Sequence, residues 1–83
     1  MYKAKLLFSK SEGLTLNILP KLEERGVLRA ETVYDLRMNI ANVMTQLEGG
    51  MQCECVRVGE DCLAIICQGW TLALYEYDKE GYR

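Results

Sequence analysis

The segment AETVYDLRMNIANVMTQLE, residues 30–48, decides the fold. At about 100° per residue, Val33, Leu36, Ile40, Val43, Met44 and Leu47 fall in one arc roughly 100° wide, while Asp35, Asn39, Asn42 and Gln46 lie opposite. This spacing predicts an amphipathic helix. Thr32, with Asp35 three residues on, imitates a capping box, and Glu31 and Asp35 place negative charge at the positive end of the helix dipole. Gly49-Gly50 supplies a left-handed stop. A second stripe, Tyr34, Met38, Ala41 and Thr45, runs along one flank. It is too apolar for a freely solvated face and too mixed for deep core, which predicts contact with another element or another chain.

On the C-terminal side the hydrophobic period changes from 3.6 to 2. Residues 51–58, 62–68 and 70–77 read as three strands of an antiparallel meander, joined by Gly59-Glu60-Asp61 and by a tight turn around Gln68-Gly69. On the N-terminal side, residues 2–8 alternate, with Ala4, Leu6 and Phe8 facing one way and Lys3 and Lys5 the other, and Leu7 breaking the pattern. Two readings compete for residues 14–19. The alternation of Leu14, Leu16 and Ile18 favours a second strand, forming a β-hairpin with residues 2–8. A helix over 14–25 would place Pro20 in its interior at a cost of about 3 kcal/mol. The hairpin is preferred, with Pro20 opening a short turn of helix over 20–25 that Gly26 closes. The fold class expected is α+β, one domain over 1–83, with a β-hairpin plus a three-stranded meander packed on one main amphipathic helix.

Eighty-three residues lie near the size at which a single core yields only a few kcal/mol of net stability without help from oligomerisation, metal or disulfides. No apolar run reaches the roughly 18 residues of a membrane span, and no basic stretch precedes an apolar one as in an export signal. A soluble, cytoplasmic chain without a membrane partner is expected, and its four cysteines are expected to be reduced. Residues 1–30 carry six basic and three acidic groups, whereas residues 31–83 carry four basic and nine acidic, within a net charge of −2. The acidic bulk argues against nucleic acid, which needs clustered Lys and Arg.

Cys53, Cys55, Cys62 and Cys67 are the obvious metal candidates, but a regular strand turns Cys62 and Cys67 to opposite faces, so the four cannot converge on one tetrahedral ion. No metal and no cofactor are expected. The chain has no histidine, no glycine-rich phosphate loop and no serine with a neighbouring base, which argues against an enzyme. Glu60-Asp61 and the Glu76/Asp78 pair read as solvated carboxylates.

The final three strands carry more apolar surface than one helix can cover, since residues 62–67 are apolar on both sides. Trp70 is expected in the core. Val56, Val58, Tyr75 and Tyr77, with Tyr82 nearby, are expected to form a second, interacting sheet face, and Tyr34, Met38 and Thr45 a helix-flank surface. The function expected is non-enzymatic: a small protein acting stoichiometrically on another protein or on itself as a homo-oligomer. Phage and mobile-element inhibitors of host complexes are the associational precedent. The alternative is an oligomer that sequesters a small ligand between subunits.

Overall fold

The computed structural model describes residues 1–79 and is α+β. Five antiparallel strands, β1 (Tyr2–Ser9), β2 (Arg29–Ala30), β3 (Cys53–Arg57), β4 (Cys62–Cys67) and β5 (Trp70–Lys79), form one curled sheet in the order β2-β1-β5-β4-β3. Helix α1 (Leu19–Glu24) lies between β1 and β2, and the main helix α2 (Val33–Leu47) between β2 and β3.

Helix α2 forms where the periodicity places it. The Thr32 hydroxyl accepts a hydrogen bond from the Asp35 N–H at 3.0 Å, satisfying one orphan donor of the first turn. Gly49 and Gly50 follow with φ of +73° and +91°, the left-handed conformation that lets the Gly50 N–H return to the Thr45 carbonyl at 2.8 Å. Leu36, Ile40, Val43 and Met44 are buried against the sheet, with Val33 and Leu47 half-buried at the ends of the stripe. The facing sheet surface contributes Ala4, Cys53, Cys55, Leu63, Ile65, Ala73, Tyr75 and Tyr77.

Residues 14–18 are not a strand. They form a π-helical segment, Leu14–Ile18, that runs directly into α1. The buried or half-buried set here is Leu14, Ile18, Leu19 and Leu22, at i, i+4, i+5 and i+8, while Leu16, which the hairpin needed inside, is 68 % exposed. The widened turn also answers the objection from Pro20. The Leu19 N–H bonds to the Leu14 carbonyl five residues back, opening the helix just where proline lacks a donor and would crowd the carbonyl four residues before it. Gly26, at φ +73°, ends the unit.

Without that hairpin, β1 takes β5 as its neighbour, in a register from Tyr2↔Lys79 to Ser9↔Ala73. The meander β3-β4-β5 stands as the sequence predicts. Its tight turn has positive φ at both central residues, Gln68 (51°) and Gly69 (82°), the two-residue geometry that follows the strand twist.

Helix and sheet meet through Leu36, whose side chain is fully buried. Leu36→Ala should lower the free energy of unfolding by about 2 to 5 kcal/mol in urea titration, and Thr32→Ala, which removes only the cap, by about 1 kcal/mol.

Candidate interaction surfaces

Two register shifts set which side chains reach the surface. In β1 the shift falls between Leu6 and Phe8, so Leu6 pairs with Tyr75 on the helix-facing side, whereas Phe8 pairs with Leu74 on the opposite side. In β5 a second shift, opposite Ile65 and Ile66, skips Leu72. Beyond it Leu72 packs against the core, and Trp70, expected inside, stands 64 % exposed beside the turn with the Lys10 ammonium 3.8 Å from its ring centroid.

The four residues expected to share the second sheet face are therefore divided. Val56 and Val58 do lie away from α2, half-buried and exposed respectively. Tyr75 and Tyr77 lie on the α2 side and are buried, which corrects their placement at an interface rim. They are inside because Ala73 fixes the phase of β5 on the core face, and a two-residue period carries Tyr75 and Tyr77 with it. The Tyr77 hydroxyl donates to the Glu60 carbonyl at 2.9 Å, giving a buried phenol its partner. Tyr82 lies outside the described residues.

What occupies the outer face instead is a row in direct register across four strands: Phe8, Leu74, Ala64 and Val56. Ala64 is buried yet belongs to no contact with the main core, because its own neighbours in the row cover it. Ile66 and Cys62 extend the row, half-buried, to either side. Sequence alternation in residues 62–67 carries the signal for such a face, but Phe8 and Leu74 join it only once β1 is known to pair with β5.

The helix-flank surface is also redistributed. Tyr34 is exposed and Met38 half-buried. The Thr45 hydroxyl donates to the Ala41 carbonyl at 2.9 Å and accepts from the Cys53 N–H at 3.1 Å. Beside it the Arg37 Nε donates to the Cys55 carbonyl at 3.0 Å. Both backbone groups lie on the outer edge of β3, so Thr45 and Arg37 cap a strand edge that would otherwise invite pairing.

The same edge geometry explains the cysteines. With the Cys53 N–H and the Cys55 C=O turned outward, Cys53 opposes Cys67 at a non-hydrogen-bonded position of the β3/β4 ladder, where strands approach most closely; their Cα atoms are 4.3 Å apart. The two are joined as a disulfide, which corrects the expectation of four reduced thiols. The expectation of reduced thiols followed from the lack of an export signal, and the disulfide goes against it. Cys55 is a buried free thiol and Cys62 a half-buried one on the other face. Burial, offset in part by the Arg37 guanidinium, pushes the Cys55 thiol from 9.0 up to about 12, the opposite of what a nucleophile needs. Burial also raises the Tyr75 phenol to about 12, helped by Cys55 and Glu23. Among the described residues no three acidic, cysteine or histidine side chains converge on a metal position, and no helix is long and apolar enough to cross a membrane.

Comparison with protein-family models, curated proteins and solved structures finds no match to this chain.

Two measurements follow from the cysteines. The disulfide spans 14 residues, so Cys53→Ala/Cys67→Ala should cost about 3 kcal/mol, and dithiothreitol should lower the stability of the unmodified chain to the same level. The native Cys55 thiol stays protonated at a pH where the unfolded one ionises, so its contribution is complete below about pH 9 and is lost as pH rises toward 12. An alkaline denaturation series should show this decline, shallower in Cys55→Ala.

Proposed function

We propose that the chain is a non-enzymatic binding protein that acts stoichiometrically, with its outer sheet face seated against another protein surface, in the first instance a second copy of itself. The observation that carries this reading is the Phe8–Leu74–Ala64–Val56 row, which no described element covers. An antiparallel sheet with one wet face ordinarily alternates apolar with polar residues, and contiguous exposed apolar patches on small chains mark interaction sites. Two such sheets packed face to face about 10 Å apart would bury both rows.

The chemistry of the remaining groups supports binding over catalysis. The sequence has no histidine to serve as general base, and the buried thiol of Cys55 is held neutral. The backbone of the Glu60-Asp61 turn is committed to structure: the Glu60 carbonyl accepts from Tyr77 and Arg57, and the Asp61 carbonyl from the Tyr77 N–H.

Light scattering across a concentration series tests the reading. The unmodified chain should form a defined oligomer, and Leu74→Glu, which places a carboxylate in the middle of the row, should be monomeric with its far-UV circular dichroism retained. A unmodified chain that stays monomeric at about 0.1 mM would overturn self-association through this face, since a standard-size interface holds well below that concentration.

A further inference from the structure

The sheet has two edges, and the protein treats them differently. On β3 the outward Cys53 N–H and Cys55 C=O are capped by Thr45 and Arg37. On the other side β2 is only two residues long, pairing with Tyr2 and Lys3, and leaves the rest of β1 open. The Ala4 N–H donates to the Leu28 carbonyl at 2.8 Å, so Ala4 turns its backbone toward β2, and Lys3 and Lys5 turn theirs toward β5. Leu6, next in the alternation, presents its N–H and C=O outward, past the end of β2.

A groove of about 640 Å³ runs along this open side. It is lined by Ala4, Lys5 and Leu6 of β1, by Leu19, Pro20 and Glu23 of α1, and by Tyr75 of β5. Leu6, the β1 side chain next to the end of β2, is 36 % exposed. An open, apolar strand edge is the template on which an extended chain pairs.

We propose that the groove takes an extended acidic segment of a partner protein as a sixth strand, paired to β1 from Lys5 onward. The proposal rests on the stoichiometric-binding reading and names its partner. The two faces of β1 specify the pattern of the guest. The guest residue opposite Leu6 faces the groove and is apolar, and the residue opposite Lys5 lies on the other face and carries a carboxylate. Lys5 already faces Glu76 across the sheet, but a sixth strand would lie beside β1, about 4.8 Å away, and two strands from β5, near the screening length of physiological salt. Cations on β1 therefore dominate what the guest meets. Charge also argues against a second copy of β1 as the occupant, since residues 5–9 of the other chain, Lys-Leu-Leu-Phe-Ser, bring no carboxylate to Lys5.

The test uses a capped, fluorescein-labelled peptide alternating valine and glutamate, read by anisotropy against the full chain. Saturable binding is expected, with a valine–lysine peptide bound about tenfold more weakly or worse. A glutamate peptide N-methylated on the residues that bond to β1 should not bind. Lys5→Glu should reverse the preference between the two peptides, and Leu6→Pro, which removes an outward N–H without taking a bond from the β1/β5 ladder, should abolish binding with circular dichroism unchanged. Equal binding of the two peptides, or full binding of the N-methylated one, would overturn strand addition. Complete displacement by hexanoate together with tolerance of N-methylation would assign the groove to a small anionic amphiphile and overturn it likewise. An oligomer lost in Leu6→Pro but kept in Leu74→Glu would make the occupant a second copy, against this proposal. Absence of peptide binding in a chain whose oligomer is broken by Leu74→Glu would remove the peptide site and leave the outer-face reading standing.

Discussion

The pairing of β1 with β5 is the constraint on which the rest of the molecule depends. Among the described residues it is the only ladder that ties the first thirty residues to the meander, and past the end of β2 it leaves β1 paired on one side and open on the other. Through it Ala4 reaches the core beside Tyr77, and Phe8 reaches the outer face beside Leu74. Strand β2, α1 and the π-helical segment before it then pack where β1 leaves room. Helix α1 buries Leu19 and Leu22, and the Arg25 guanidinium at its end bonds to the Gln46 amide oxygen of α2 at 2.8 Å.

Edges and faces are managed together. Along β3 the main helix does double service, filling the core with Leu36, Ile40 and Met44 while Arg37 and Thr45 reach over the strand edge. A disulfide then fastens β3 to β4 from the core side. Among the described residues no comparable device protects β1 past the end of β2, where the groove separates it from Leu19, Pro20 and Glu23 of α1. The result is a sheet with one finished edge and one unfinished, and an apolar row on its outer face that begins at the unfinished side with Phe8.

The helix α2 was legible because it follows one uninterrupted period, and the meander because glycines mark its turns and each strand keeps a period of 2 over most of its length. Residues 14–18 were not, because Leu14 and Ile18 satisfy a period of 2 and a period near 3.6 equally well, and Leu16 tips the choice toward the strand although it stays in solvent. The helical stripe continued through Leu19 and Leu22, but Pro20 concealed it, and a widened turn is not written in any single residue. The faces of β5 were misread for a similar reason. Alternation counted from Trp70 is correct for each half of the strand and wrong across the irregularity at Leu72. Alternation did separate Cys62 from Cys67, but joining Cys67 to Cys53 required the register of two strands, which is a long-range fact.

The distance along the chain between β1 and β5 has a kinetic meaning. Ser9 precedes Trp70 by about 60 residues, so at synthesis rates of ~5–20 residues per second β1 waits roughly 3 to 12 s for its central partner to emerge. Until then Leu6, Leu7 and Phe8 form an unpaired apolar strand on both of its sides, not on one alone. Helix α2, built from local contacts, can form within that interval, whereas the sheet cannot close. The nascent chain thus passes through a state in which its stickiest segment is bare before the strand that pairs with it exists.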